Sequence, residues 1–319
     1  MEFSGVRVWR NDRDRTFSCC STVSTDLTAC LRRNQDSLPA SAESRGIGIL
    51  MMGSKNITDT YGKFAELSVR VWASLQGVDL IVAELDDSVM IPRTRAVYWQ
   101  KLCFIRRYLE FFSHILYLDA DAAVTDFQGD FHSRFAEKDI DLIVSRERQG
   151  PDELSTQTGL PINIEFPHTL INAGVLWLRN SLWTRQLLDD WWACGDEKIQ
   201  YRWNKVHDQG CLGELMVSHV ADTGWLAHVL ILSPSEFNNH SPFPDSDTRH
   251  YFQRMAKLRQ DDPENPRSRN FFWWCSQVAA PVVQFSGEPA AIRMRALEHL
   301  STSICAGKDS SCLDSWPVR

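Results

Sequence analysis

Two aspartates, Asp119 and Asp121, directly follow a short apolar run over residues 115–118 and are separated by a single alanine. Such a run is typical of a buried parallel strand, and open α/β sheets bind ligands at the carboxyl ends of such strands. Because residues two apart in an extended chain project to the same side, we expect both carboxylates to enter one cleft. Two carboxylates make a hard-oxygen site suited to Mg²⁺ or Mn²⁺. A solvated acidic turn after a strand is the alternative.

A glycine-containing loop that begins with Gly53 and Ser54 follows an apolar run over residues 47–52, which predicts a buried strand. The loop would let the backbone approach a nucleotide. The dinucleotide-binding fingerprint is not present, because Met51 stands where its third glycine would be. A nucleotide bound at this loop is therefore not expected to be a dinucleotide cofactor.

Another predicted strand, over residues 168–180, is interrupted by polar and small residues that include Asn172 and Gly174. A glycine inside a strand indicates the close approach of a ligand or of another backbone, and a simple kink in the strand is the alternative. Further along the chain, Asp208 opens a predicted helix. An aspartate at that position either caps the helix N-terminus or takes part in chemistry.

The elements that must position these residues alternate between strand and helix. The spacing of apolar residues predicts helices over 61–76, ended by Gly77, and over 98–112. Apolar runs predict further strands over 80–83, 141–145 and 225–232. This alternation favours an α/β fold of the Rossmann-like kind, in which a central, mostly parallel sheet is flanked by helices within a single domain.

Two features of these helices bear on the site and on the core. Lys101 lies on the second helix, off its apolar stripe, where it either adds a positive charge to a phosphate site or points to solvent. The first helix is expected to bury one stripe, formed by Phe64, Leu67, Val71 and Leu75.

The composition is that of a globular protein without a nucleic-acid signature. The chain has 319 residues and a formal net charge of −7, with no long basic run, which argues against nucleic acid as a partner. No apolar stretch approaches the roughly 20 residues that span a bilayer, and no signal peptide is visible. Membrane contact is therefore expected only through an anchor that these residues do not contain. We divide the chain into a polar extension or stem over 1–45, a globular domain over 46–300 and a polar tail over 301–319.

The nine cysteines include no Cys-x-x-Cys pair, which disfavours a zinc ribbon. Their odd number leaves at least one thiol unpaired. Cys305 and Cys312 flank a short polar turn and would close a small disulfide loop in an oxidising compartment.

The order of these segments resembles glycosyltransferase family 34, which holds yeast galactosyl- and mannosyltransferases and plant xyloglucan xylosyltransferases. Over residues 47–290, six stretches are similar to the family's motifs: Met52-Gly53-Ser54, Trp99-Gln100-Lys101-Leu102, Asp119-Ala120-Asp121-Ala122, Asn172-Ala173-Gly174 with Leu178-Arg179-Asn180-Ser181-Leu182-Trp183, Asp208-Gln209, and Phe237-Asn238. The resemblance implies a GT-A fold and retaining transfer of a hexose or pentose from a nucleotide sugar to a glycan or glycoprotein acceptor. It also implies the Golgi lumen as the place of action.

The resemblance further implies a role for each candidate residue. A Mn²⁺ or Mg²⁺ ion would be held by Asp119 and Asp121, and a nucleotide-sugar donor would bind beside it. We prefer a UDP-sugar to a GDP-sugar, with UDP-galactose, UDP-xylose and GDP-mannose all left open. Near the anomeric carbon, Gln209 and Asp208 would assist the reaction. The donor would be bound by Gly53, Ser54, Lys101, Asp119, Asn172 and Gly174.

The chain departs from the family near its carboxyl end. Where the family has His-Phe-x-Gly-Cys-Lys, this chain has Gln284 followed by Phe-Ser-Gly-Glu-Pro. Gln284 would then be a neutral oxygen ligand of the metal in place of an imidazole, and Arg293 or Arg295 would have to replace the lysine. This departure leaves open a catalytically silent nucleotide- or carbohydrate-binding relative. A metal-dependent phosphoryl-transfer enzyme is disfavoured, because no P-loop or kinase-type signature is present.

Overall fold

A computed structural model describes residues 7–9, 45–85, 97–125, 132–136, 138–146, 171–197, 208–234, 236–239 and 282–284. The tail over 301–319 and most of the N-terminal extension lie outside these residues. The same holds for the predicted disulfide between Cys305 and Cys312, and for Arg293 and Arg295.

The described part of the chain forms a seven-stranded sheet. Its strands are β1 Arg7–Trp9, β2 Arg45–Ser54, β3 Asp79–Leu85, β4 Phe112–Asp119, β6 Leu142–Arg146, β7 Ile171–Arg179 and β8 Val229–Leu232. They lie side by side in the order β1-β3-β2-β4-β7-β6-β8. The edge strand β1 and the interior strand β7 run antiparallel to their neighbours, whereas the other strands all point the same way. The predicted α/β fold with a mostly parallel sheet is therefore confirmed.

The helices cover both faces of this sheet. They are α1 Lys63–Gln76, α2 Gln100–Tyr108, α3 Leu182–Glu197, α4 Asp208–Ser218 and the single turn α5 Thr223–Leu226. Alternate residues of β4 belong to two apolar clusters, with Leu116 and Leu118 in one and Ile115 and Tyr117 in the other. A strand that is buried on both faces has to be apolar throughout, which explains the uninterrupted run before Asp119.

Helix α1 ends at Gly77, as predicted, because that glycine adopts a left-handed conformation with φ 69°. The predicted stripe is wrong at Leu75, which is 55% exposed. The helix instead turns Val69 and Trp72 into the core, and both are almost fully buried. Leu75 lies in the last turn of the helix, which is more exposed to solvent than the preceding turns.

A second, three-stranded sheet lies at the carboxyl end of β4. It is formed by β5 Ala122–Val124, β10 Val282–Gln284 and β9 Asn238–Asn239, with β10 in the centre. Strand β10 runs antiparallel to β5, so that Gln284 pairs with Ala122. This pairing brings a residue from late in the chain beside the Asp-Ala-Asp turn.

Strand β1 pairs with β3, so residues 7–9 of the predicted extension join the main sheet. The boundary of the globular domain at residue 46 stays a prediction. Among the helices that the structure describes, none has the length and apolar character needed to cross a membrane.

Candidate active site

The Asp119 and Asp121 carboxylates converge on one atom, the side-chain amide nitrogen of Gln284. Gln284 Nε2 lies 3.2 Å from Asp119 Oδ2 and 3.0 Å from Asp121 Oδ1. Asp119 ends β4, and the chain turns through Asp121 before β5 begins. The alternative of a solvated acidic turn does not hold, because the Asp121 side chain is buried.

The Asp119 carboxylate also contacts a tyrosine and a lysine. The Tyr117 hydroxyl donates to Asp119 Oδ1 over 2.9 Å, and Lys101 Nζ lies 3.7 Å from the same oxygen. Burial raises the pKa of Asp119 to about 6, because the neighbouring Asp121 and Asp208 add to desolvation and together outweigh Lys101. The site is therefore short of positive charge.

Lys101 is buried beneath these carboxylates, so the alternative in which it points to solvent is wrong. Its ammonium group lies 2.5 Å from Asp208 Oδ2 and donates to the Ala173 carbonyl over 3.1 Å. Burial alone would lower the pKa of Lys101, but Asp119 and Asp208 raise it above its ordinary value. The lysine therefore carries its charge inside the protein.

Asp208 is the first residue of α4, and its side chain turns to Lys101. The next residue, Gln209, uses its side-chain oxygen to accept a hydrogen bond of 3.1 Å from the Ala173 backbone N–H. Lys101 thus holds the carbonyl of Ala173, and Gln209 holds the N–H of the same residue. This arrangement fixes β7 against the start of α4, where both predicted catalytic residues lie.

The side-chain amides of Gln284, Asn238 and Asn172 are buried and linked by hydrogen bonds, and we call them the amide chain. Gln284 Oε1 accepts from Asn238 Nδ2 over 3.1 Å, and Asn238 Nδ2 also donates to Asn172 Oδ1 over 3.1 Å. Asn172 Oδ1 in turn accepts from the Gly174 N–H over 2.9 Å, and the Asn238 N–H donates to the Ser145 hydroxyl over 3.0 Å. Sequence reasoning assigned no role to Asn238 or Ser145. The Phe-Asn motif was the available signal for Asn238, whereas Ser145 carries none.

Glycine at position 174 is required by the approach of a side chain. A Cβ atom on Gly174 would lie 2.2 Å from Gln284 Nε2. The pairing of β6 with β7 shifts register here, since Val144 pairs with Leu176 but Ser145 pairs with Asn172. The expected interruption of the strand is therefore a bulge that makes room for Gln284.

Gly53 and Ser54 end β2 beside the Asp-Ala-Asp turn. A Cβ on Gly53 would lie 2.3 Å from Ala120 Cβ, and the Ala120 N–H donates to the Met52 carbonyl. Gly53 therefore lets the turn pack directly on β2, while Ser54 is half-buried at the strand end.

The chemistry of this donor set fits a hard divalent cation. Three carboxylates, those of Asp119, Asp121 and Asp208, surround the single ammonium of Lys101, and such an excess of buried negative charge is costly unless a cation balances it. In the part of the chain that the structure describes, no three His, Cys, Asp or Glu side chains converge as a complete metal cage. A Mg²⁺-type ion is commonly held by one or two carboxylates together with phosphates of the substrate, so two aspartates suffice.

The sequence profile of the galactosyl transferase GMA12/MNN10 family matches residues 68–262. The match spans more than half of the chain, and the chain therefore belongs to this family. It is a glycosyltransferase with a GT-A fold, and membership of this family implies a nucleotide-sugar donor and a glycan acceptor. No curated protein sequence matches the chain significantly.

Solved glycosyltransferase structures show more distant similarity. One is involved in the glycosylation of the major capsid of PBCV-1, with 15% identity over 79% of this chain and 98% of that chain, at a TM-score of 0.49. Apo GlyE of Streptococcus pneumoniae TIGR4 has 15% identity over 82% of this chain and 62% of that one, at a TM-score of 0.44. Mouse xyloside xylosyltransferase 1 has 11% identity over 76% of this chain and 98% of that one, at a TM-score of 0.39.

Proposed function

We propose that this chain is a metal-dependent retaining glycosyltransferase that moves a hexose or pentose from a nucleotide sugar to a glycan acceptor. The observation that carries the proposal is the convergence of two aspartates of one turn, Asp119 and Asp121, on a single amide nitrogen. That nitrogen marks a point within reach of both carboxylates. A cation beside a diphosphate would bind near this point.

Asp119 and Asp121 would hold Mn²⁺ or Mg²⁺, with the Gln284 side chain as a third ligand. When bound, the ion would act as a Lewis acid that offsets the negative charge of the departing nucleoside diphosphate. Gln284 now directs its nitrogen to the carboxylates and its oxygen to Asn238. To act as a metal ligand, Gln284 would have to turn its oxygen toward the carboxylates and give up its hydrogen bond from Asn238, whose nitrogen would keep its bond to Asn172.

Lys101 contributes a positive charge to the site. Its contact with Asp208 keeps the ammonium in place, so Asp208 acts as a positioning residue in this proposal. Removal of the Asp208 carboxylate would leave Lys101 without its nearest carboxylate. We therefore expect an effect of Asp208 on catalysis that is exerted through Lys101.

We propose that the Gln209 side chain lies beside the anomeric carbon of the donor sugar. The transition state of sugar transfer resembles an oxocarbenium ion, so an amide held near the anomeric carbon can stabilise developing charge. The Gln209 side chain is only partly buried, unlike that of Asp208, and its oxygen is oriented by the Ala173 N–H. This assignment requires no covalent intermediate.

Asn172 and Gly174 would line the donor beside Gln284, and Gly53 with Ser54 would border the nucleotide. We propose a UDP-sugar in preference to a GDP-sugar, and the Golgi lumen as the compartment, on the resemblance alone. Localisation of a tagged full-length protein by immunofluorescence tests the compartment.

The decisive experiment measures turnover of UDP- and GDP-sugars with Mn²⁺, with Mg²⁺ and with EDTA. We expect turnover to require the metal and Asp121→Asn to lower it about 100-fold or more, with an unchanged melting temperature. The control is Asp59→Asn, which removes an exposed carboxylate that pairs with Lys55 on the surface. Analysis of the product by NMR then tests retention of the anomeric configuration.

Full turnover in EDTA, or wild-type turnover of Asp121→Asn, would contradict metal dependence. Binding of UDP with no turnover of any donor would instead identify a catalytically silent relative. For Gln209→Ala we expect a loss in kcat at a similar KM, since Gln209 is assigned to the transition state.

A further inference from the structure

Two cysteines close to the site, Cys194 and Cys211, take no part in the proposed sugar transfer. Cys194 lies half-buried in the last turn of α3, and Cys211 lies buried in the first turn of α4. Their Sγ atoms are 2.6 Å apart. A disulfide has an S–S distance of about 2.03–2.05 Å, so a small movement of either side chain brings the two sulfur atoms to bonding distance.

The contact between these cysteines continues a contact that already joins α3 to α4. One turn earlier on each helix, the Trp191 indole N–H donates to the Asp208 carbonyl over 2.7 Å. Both contacts join residues that are 17 positions apart. The two helices therefore meet in register at successive turns, and the sulfur contact is part of that packing.

Other roles for these two thiols fit the surroundings poorly. The hydrogen bond from Cys194, together with burial, raises the pKa of the Cys211 thiol, which disfavours a resident thiolate at this position, so exchange with a disulfide oxidant would begin at the half-buried Cys194. Within the described ranges, no third His, Cys, Asp or Glu completes a metal site around them.

We propose that Cys194 and Cys211 form a disulfide that fixes the first turn of α4, and with it Asp208 and Gln209. The two thiols together lose two protons and two electrons. The acceptor is a disulfide-bearing oxidant, such as oxidised glutathione or a protein disulfide, which is reduced to two thiols. The bond itself does not depend on the proposed function, whereas its effect on turnover rests on that function.

The disulfide would act on the part of the site that is formed by the start of α4. Asp208 and Gln209 hold Lys101 and Ala173 through side-chain contacts, so their positions depend on where α4 begins. A covalent link one turn into α4 limits how far its first residues can move. A link of this kind also stabilises the fold by restricting the unfolded chain, and it is expected to persist in an oxidising compartment.

Peptide mapping of the full-length protein tests the bond directly. The protein is treated with oxidised glutathione, its remaining thiols are alkylated in urea, and it is digested with trypsin without reduction. Cleavage gives peptides 186–198 and 206–249, each of which contains a single cysteine. We expect these two peptides to be found joined, and to separate after treatment with dithiothreitol. The joined pair should be absent from Cys194→Ser and present in Cys103→Ser, which changes a buried cysteine of α2.

The melting temperature provides an independent readout. We expect the oxidised wild type and Cys103→Ser to melt several degrees above their reduced forms, and Cys194→Ser and Cys211→Ser to gain less, since only disulfides elsewhere, such as the predicted Cys305–Cys312 bond, can form in them. Alkylation of both peptides in the oxidised protein, or a link from either cysteine to another one, would overturn the proposal. A joined pair in a protein without turnover would leave the disulfide in place and reject the transferase function instead.

Discussion

Gly174 lies so close to Gln284 that a Cβ atom at position 174 would come within 2.2 Å of the Gln284 side-chain nitrogen. The glycine thus sets the distance between β7 and the amide that contacts both Asp119 and Asp121. Sequence inspection found the glycine but not the reason for it. The reason lies in a side chain more than a hundred positions further along the chain.

We predict that Gly174→Ala displaces Gln284 and impairs metal-dependent donor binding while the fold is retained. Overpacking of this kind costs about 1–3 kcal/mol. Since Gln284 is buried and hydrogen-bonded to Asn238, it cannot move without breaking the amide chain. We expect titration calorimetry with UDP and Mn²⁺ to give about tenfold weaker binding, which corresponds to about 1.4 kcal/mol.

Gly46→Ala is the matched control, because a Cβ there would meet nothing within 4 Å. That variant should bind UDP as the wild type does. Equal affinities for Gly174→Ala and the wild type would mean that Gln284 has no part in the donor site.

A second prediction concerns the buried lysine. Lys101→Met keeps most of the side-chain volume but leaves Asp208 and Asp119 without their cation. Removal of one partner of a buried ion pair typically costs about 3–5 kcal/mol. Urea unfolding should report a loss of this size, against little change for Lys138→Met, in which the replaced lysine is exposed. Two equally stable variants would show that the carboxylates do not need the ammonium.

A third prediction concerns a buried hydroxyl that joins helix α1 to β5. Ser68 is fully buried, donates to the Ala65 carbonyl over 2.7 Å and accepts from the Val124 N–H over 3.1 Å. Ser68→Ala leaves a buried N–H without its acceptor, so we expect a loss of about 1–3 kcal/mol in the free energy of unfolding.

Ser218→Ala is the comparison for that measurement. Ser218 makes a similar bond to a carbonyl one turn back, to Leu215 over 2.8 Å, but on the surface. Its replacement should change the stability by no more than about 0.5 kcal/mol. A similar cost for both serines would assign the effect to the helix and not to the bond with Val124.

The fourth prediction is a pH dependence of stability at the end of the sheet opposite to the site. Asp141 is fully buried and bonded to Arg179 and His228. Burial alone would raise the pKa of Asp141, but hydrogen bonds from Arg179, Ser181 and His228 outweigh it and lower the pKa below its ordinary value. Because the unfolded-state pKa is about 3.9, this stabilisation is complete above about pH 4 and is lost as the pH falls through the lower folded-state value.

We therefore expect Asp141→Asn to be less stable than the wild type by about 1.5–3 kcal/mol at neutral pH, and the difference to shrink in acid. Melting temperatures between about pH 2 and pH 7 measure both curves. Asp139→Asn is the control, since Asp139 also contacts Arg179 but is 91% exposed. Its cost should be below about 1 kcal/mol. Parallel curves for Asp141→Asn and the wild type would contradict the assignment.

The apolar runs of the sheet could be predicted because buried strands have to be apolar throughout. The burial of Lys101 could not, since its partners Asp119 and Asp208 lie on other elements and only the fold brings them together. The resemblance to known motifs indicated Asn172 and Gln284 as candidate site residues. It did not indicate that Asn238 would join their side chains through hydrogen bonds.

The eighth strand illustrates a local signal that was missed. An apolar run suggests a strand over residues 225–232, yet β8 begins at Val229. Residues 223–226 form a helical turn instead, because the Asp222 side chain accepts a hydrogen bond of 3.0 Å from the Trp225 N–H. An aspartate before Thr-Gly-Trp is an ordinary N-cap, and it outweighed the apolar run.

The position of Gln284 has a consequence for biosynthesis. Asp119 and Asp121 precede Gln284 by 165 and 163 positions, and all described strands of the main sheet have been synthesised once Leu232 has been translated. A nascent chain therefore carries its acidic pair for some time before the amide that joins it exists. A premature stop codon between the codons for Leu232 and Val282 would yield a product with every described strand of the main sheet but without the amide that contacts both aspartates.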